Sequence, residues 1–171
     1  MTAITLETIR AARARIAPHV LRTPTLPREL LGSLLGRPVA AKLELLQHGG
    51  SFKARGAFNA MLSLGEAERA AGVVAVSGGN HALGVAYAAR VLGLDATLIM
   101  PNVTPENYVA GTRAEGAEVV LVADIAAAFA EAERQAAAGR TLIHPFDDPR
   151  VISGQGTMGL ELLEDAPDTT D

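Results

Sequence analysis

Hydrophobic residues along the chain fall into two patterns, short unbroken apolar runs and longer segments with helical spacing. The unbroken runs have the length of strands and predict β-strands at 72–76, 95–100, 117–122 and 141–144. Segments of helical period separate them and predict helices at 81–92, 105–115 and 125–138. Strands that are apolar throughout and alternate with helices are typical of a parallel sheet covered on both faces. The predicted fold class is therefore α/β, with a doubly wound parallel sheet.

The segments before this region predict helices at 5–16, 27–35 and 52–64 and one more strand at 37–46. We expect a small α/β domain at 51–145, flanked at 1–50 and 146–171 by incomplete pieces of a second α/β domain. Such pieces leave open sheet edges and apolar surface, which favour association. The expected partner is a second copy, giving a homo-oligomer, or a complementing C-terminal segment.

Composition excludes several classes of protein. A net charge of -4 and a pI of about 5.6, without a basic cluster, argue against a nucleic-acid partner. No unbroken apolar run is long enough to span a membrane. The absence of cysteine excludes disulfides and a cysteine-based zinc site. Because the first residues also lack the layout of a secretory signal, a cytoplasmic location is expected.

Lysine is scarce, since the chain has 13 arginines but only two lysines, Lys42 and Lys53. Lys53 falls in the first turn of a predicted helix, where the helix dipole disfavours a positive charge. A neutral lysine amine is a nucleophile suited to Schiff-base chemistry. The alternative, a solvated surface lysine behind a Ser51 cap, is equally compatible with the pattern alone.

The segment 77–81, Ser-Gly-Gly-Asn-His, joins the end of a predicted strand to the start of a helix. Doubly wound folds bind ligands at such positions. The glycines allow close approach to the backbone, and successive N–H groups at a helix start favour a carboxylate or phosphate. The alternative is an ordinary turn with Asn80 as the helix cap.

Two further motifs are assigned structural roles. Residues 154–159 match the dinucleotide-binding pattern G-x-G-x-x-G, but no convincing strand precedes them, so close helix packing is the favoured interpretation. Residues 144–149 contain one histidine and two aspartates between prolines. A turn with an aspartate cap is favoured there, and no metal site is predicted.

Segments 43–47, 51–57, 77–82, 144–149 and 154–157 together resemble the threonine/serine dehydratase group of the tryptophan-synthase-like, fold type II pyridoxal-phosphate enzymes. The order, spacing and content of the motifs agree with that group. The resemblance extends from about residue 8 to residue 163 and corresponds to the N-terminal half of such enzymes.

The resemblance implies pyridoxal 5'-phosphate as the cofactor and a small amino acid as the substrate. It implies that Lys53 is the catalytic lysine, which also binds the cofactor, that Phe52 lies beside the cofactor ring and that Asn80 bonds its 3-hydroxyl oxygen. It further implies that the substrate carboxylate is held by the loop formed by Ser77, Gly78, Gly79, Asn80 and His81.

The implied reaction is a β-elimination that converts L-threonine or L-serine to a 2-oxo acid and ammonia. Ala54 and His81 replace the residues typical of the cysteine-synthase-like branch, which argues against β-replacement. Serine racemases carry a serine at the position of Gly78, so racemisation is disfavoured. In the group, the Gly-rich phosphate loop follows the segment matched here, so the 171 residues alone are expected to bind the cofactor weakly and to show no turnover. A non-catalytic remnant or association module remains the alternative.

Overall fold

The computed structural model describes residues 3–168 and, within them, every side chain except that of Leu30. The helices are α1 (Leu6–Ile16), α2 (Glu29–Leu35), α3 (Lys53–Leu62), α4 (Glu66–Ala71), α5 (Asn80–Leu92), α6 (Glu106–Ala114), α7 (Ile125–Ala137) and α8 (Pro149–Asp165). The strands are β1 (Thr25–Pro27), β2 (Ala40–Lys42), β3 (Val73–Val76), β4 (Ala96–Pro101), β5 (Glu118–Val122) and β6 (Thr141–Leu142).

The last four strands form one parallel sheet, as predicted, and their order in it is β5-β4-β3-β6. The chain passes from β3 to β4 and β5 on one side and then returns to place β6 on the other side of β3. The change of direction falls between β3 and β6. In open α/β sheets this switch point opens a crevice beyond the carboxyl ends of the strands, where ligands bind.

Each face of the sheet carries its own apolar core. Val73, Ala75 and Leu98 face α3 and α5, while Val74 and Ile99 face α7 on the opposite side. The predicted double coverage is therefore confirmed for β3 and β4, which are buried almost throughout. β5 lies at the sheet edge and is only partly buried, although Val119 packs against one core and Val120 against the other.

The N-terminal region differs from its prediction. The predicted strand at 37–46 contains only β2, which pairs with β1 in an antiparallel ribbon, and Glu44–Leu46 form a 3₁₀ turn instead. The cause is Glu44, whose carboxylate turns inward to the Arg55 side chain. The helix predicted at 27–35 begins only at Glu29, and α4 was not predicted.

The glycine-rich segment at 154–159 lies within α8, so the helix-packing interpretation is confirmed and a dinucleotide fingerprint is wrong. A Cβ on Gly154 would lie 2.6 Å from the Arg55 carbonyl oxygen, and one on Gly56 would overlap the side chains of Gln155 and Val151. These glycines let α3 and α8 approach each other more closely than side chains would permit. None of the helices within residues 3–168 combines the length and the hydropathy that a membrane span requires.

Candidate active site

Lys53 lies near the switch point, where its amine contacts the connection that follows β6. It is the first residue of α3, and its backbone N–H donates to the Ser51 hydroxyl at 3.4 Å. Its Nζ donates to the carbonyl oxygen of Pro145 at 2.9 Å, in the connection that follows β6. Gly84 of α5 brings the two helices together here, because a Cβ at that position would lie 3.0 Å from the Lys53 carbonyl carbon. The lysine is thus fixed by contacts with two neighbouring elements.

The environment of the Lys53 amine favours its neutral form. The side chain is half-buried, and this burial lowers the pKa of Lys53. Within residues 3–168, the ion pairs between a lysine and a carboxylate involve Lys42 and not Lys53. The Phe52 ring centroid lies 5.3 Å from Nζ and presents an aromatic surface next to it. An amine in this state can act as a nucleophile or as a base.

The loop at 77–79 follows the carboxyl end of β3. The Ser77 hydroxyl accepts from the Gly79 N–H at 3.1 Å, and α5 begins at the next residue, Asn80, whose side chain is exposed. A Cβ on Gly79 would meet nothing within 4 Å, so the backbone there is open to an approaching group. The first N–H groups of a helix lack carbonyl partners and attract anions. The geometry therefore suits a bound carboxylate.

His81 connects this loop to the segment after β6. It is 3% exposed, and its Nε2 lies 3.0 Å from the Ile143 carbonyl oxygen. Because a carbonyl only accepts, Nε2 carries the proton, and Nδ1 is left as a buried acceptor without a partner among the described residues. Burial, together with the nearby Lys53 charge, lowers the pKa of His81 to about 4. His81 and Lys53 thus bond to carbonyl groups only two residues apart.

The segment at 144–149 has the structural roles predicted for it. His144 Nδ1 accepts from the Asp147 N–H at 2.8 Å and closes the turn. Asp148 caps α8 by accepting from the Arg150 N–H at 2.7 Å. The described residues hold no group of three or more side chains arranged to bind a metal ion.

Two groups at the crevice were not identified from the sequence. The Pro145 carbonyl that accepts from Lys53 carries no signal in a residue pattern, since every residue has such a group. Thr104 follows β4, and its Oγ1 lies 2.6 Å from where a Cβ on Gly78 would be. The available signal in the sequence was that Thr104 follows a predicted strand, while the adjacency of that strand to β3 comes from the structure.

Known proteins share this architecture. The L-threonine ammonia-lyase of Thermotoga maritima is 46% identical over 96% of this chain and 42% of its own length. The solved T.th. threonine deaminase is 51% identical, with a TM-score of 0.85 over 96% of this chain and 52% of its own. Maize serine racemase is 37% identical, with a TM-score of 0.93 over 98% of this chain and 51% of its own.

These likenesses agree with the predicted resemblance to the threonine dehydratase group, and the shared architecture confirms the predicted α/β fold. The chain spans about half the length of the relatives it matches, or somewhat less. Residues 16–171 match the family model described as pyridoxal-phosphate dependent enzyme. The chain therefore belongs to the pyridoxal-phosphate dependent enzyme family.

Proposed function

We propose that this chain carries the catalytic lysine and the substrate loop of an ammonia-lyase that converts L-threonine or L-serine to a 2-oxo acid and ammonia. The observation that supports this most directly is the half-buried Lys53 amine. It is bonded to a carbonyl rather than a carboxylate and lies beside a loop suited to anions. The named relatives agree with this choice of reaction.

The residues present fit pyridoxal 5'-phosphate. A lysine with a lowered pKa supplies the amine that binds the aldehyde, and the neighbouring Phe52 supplies an apolar surface for the ring. The exposed Asn80 side chain offers a neutral donor for the ring's 3-hydroxyl oxygen. When bound, the cofactor supplies an electron sink for charge that develops at the substrate α-carbon.

The protein's own groups then perform three tasks in this proposal. The loop from Ser77 to His81 holds the substrate carboxylate through backbone N–H groups and the start of α5. The Lys53 amine accepts the α-proton at Nζ, and burial favours this role because it lowers the pKa of the amine. With the carboxylate and the amine fixed, the β-hydroxyl takes up a proton and leaves as water. Addition of water to the unsaturated amino acid that is released then gives the 2-oxo acid and ammonia.

Racemisation of serine is the second candidate, because maize serine racemase has the same architecture. A racemase needs a second proton-transfer group on the opposite face of the substrate from the lysine. Gly78 lacks a side chain that could serve there, so elimination remains the preferred reaction.

We also propose the division into a small domain at 51–145 and pieces of a second domain at 1–50 and 146–171. The packing of α1 against α8 supports the grouping of the two outer pieces. Exposed leucines concentrate in the first piece, where Leu34, Leu35 and Leu45 are 74%, 61% and 68% exposed. This apolar surface supports association with a complementing C-terminal segment. Light scattering that shows a stable oligomer of the chain alone would instead favour a second copy as the partner.

The reaction can be tested with a fusion protein, in which the chain is joined to the part of the Thermotoga relative that follows the matched region. With added cofactor, the fusion protein is expected to release 2-oxobutanoate from L-threonine, whereas the 171 residues alone should show no turnover. Lys53→Ala should abolish release, and Lys42→Arg, at the only other lysine, should retain it.

Chiral chromatography of the same reactions with L-serine would detect any D-serine formed. Turnover that survives Lys53→Ala would refute the proposed role of the lysine. Formation of D-serine at a rate above that of pyruvate would make racemisation the better description.

A further inference from the structure

The turn after β4 adds a side chain to the crevice. β3 and β4 are parallel neighbours, with Val76 paired to Ile99, so the segments that follow them lie at the same edge of the sheet. Thr104 is held in this turn by its backbone N–H, which donates to the Pro101 carbonyl at 2.9 Å. The turn and the 77–79 loop are therefore adjacent.

The contact between them is made by the Thr104 hydroxyl and Gly78. A Cβ on Gly78 would lie 2.6 Å from Thr104 Oγ1 and 3.4 Å from Cγ2, which is too close for both side chains to keep their positions. The threonine hydroxyl thus lies within contact distance of the place that a Cβ on residue 78 would occupy. It is in contact with the backbone of the loop assigned to the carboxylate.

This hydroxyl is available to a ligand. The side chain is half-buried, and among residues 3–168 the hydrogen bonds formed by side chains do not use the Thr104 hydroxyl. A threonine hydroxyl can rotate to donate one hydrogen bond, and a bond to a charged acceptor is stronger than one to a neutral group. A carboxylate seated on the loop amides has free lone pairs for such a donor.

We propose that Thr104 is a further substrate-binding residue, whose hydroxyl donates to the substrate carboxylate beside Gly78. This inference rests on the proposed function, because it assigns a ligand to the same loop. It also explains the pairing of the two residues: the glycine leaves the space, and the threonine fills it with a polar group.

The kinetic test uses the fusion protein with Thr104→Val, which keeps the shape of the side chain and removes the hydroxyl. The KM for L-threonine is expected to rise about 10- to 100-fold, with kcat changed by less than about threefold, because the lost bond involves a charged partner. Thr104→Ser, which restores a hydroxyl, should bring KM back to within about threefold of the original. Val103→Ala, at an 86% exposed neighbour in the same turn, is the control and should change neither constant.

A second measurement does not depend on turnover. Sodium acetate is titrated into the 171-residue chain while the amide resonances of Gly78 and Gly79 are followed by NMR. The inference predicts saturable shifts. The affinity for acetate obtained from them should be at least about fivefold weaker in Thr104→Val than in the unchanged chain. Equal affinity in the two proteins, or no acetate shifts at all, would overturn the role of Thr104. If turnover of the fusion protein persists in that case, only this inference fails; if turnover is also absent, the proposed function fails with it.

Discussion

Arg55 and Glu161 form a two-bond ion pair in the interior, with Nη1 2.7 Å from Oε1 and Nη2 2.9 Å from Oε2. Glu44 binds the other edge of the same guanidinium, with its oxygens 2.9 Å from Nε and 2.8 Å from Nη2. The Arg55 side chain is fully buried. One arginine thus joins α3, α8 and the 44–46 turn, two residues after Lys53.

Arg55→Met is expected to lower the free energy of unfolding by about 3–5 kcal/mol, because it leaves the buried Glu44 carboxylate without its cation and leaves Glu161 with Lys42 alone. Urea denaturation followed by circular dichroism measures the change. The exposed pair of Arg134 and Glu131 provides the control, and Arg134→Ala should leave the midpoint unchanged within error. A midpoint for Arg55→Met equal to that of the control would contradict the importance of the buried pair.

Gly154→Ala should destabilise the chain by about 1–3 kcal/mol, since the added methyl group would overlap the backbone of α3. The matched control is Gly159→Ala. Gly159 lies in the same helix, at a position where an added Cβ would meet nothing within 4 Å. That change should stabilise the chain by about 0.5–1 kcal/mol through better helix propensity. Thermal unfolding of the two variants compares them, and shifts of the same sign would argue against close packing at Gly154.

His81 makes stability depend on pH. Its pKa is about 4 in the folded chain and 6.5 ordinarily, so the unfolded chain binds more protons between these values. Stability therefore rises with pH in this window, and about 3 kcal/mol is lost as the pH falls from 6.5 to 4. His81→Gln keeps a donor for the Ile143 carbonyl and should flatten this part of the profile. Urea midpoints measured across the window test it, and identical slopes in both proteins would count against a neutral buried histidine.

Lys53 should titrate below its ordinary pKa of 10.5, because burial disfavours the charged amine. In Lys42→Arg, Lys53 is the single lysine, so reductive methylation with ¹³C-formaldehyde labels one side-chain amine. The NMR shift of that label reports the titration directly, with the urea-unfolded chain as the reference. A folded midpoint at or above the unfolded one would contradict the environment described for Lys53.

The strands of the central sheet were predictable because each is a largely apolar run of consecutive residues, as from Val73 to Val76. The same reasoning failed at Glu44, where the largely apolar segment 37–46 suggested a strand. Only the distant Arg55 explains why that carboxylate turns inward. Lys53 and the 77–81 loop could be selected from local motifs. The contact of Gly78 with Thr104 depends on strand order, which a residue pattern does not contain.

The shortness of β6 has a consequence for the crevice. The strand pairs with β3 over only Thr141 and Leu142. After the Ile143 N–H, which still donates to the Val74 carbonyl, the main chain turns away from the sheet. The carbonyl groups of Ile143 and Pro145 accept instead from His81 and Lys53. A strand continued through these positions would direct such oxygens along the sheet, toward backbone amides. The early end of the strand therefore provides the acceptors that orient an imidazole and an amine, so lengthening β6 would remove them even if every side chain stayed the same.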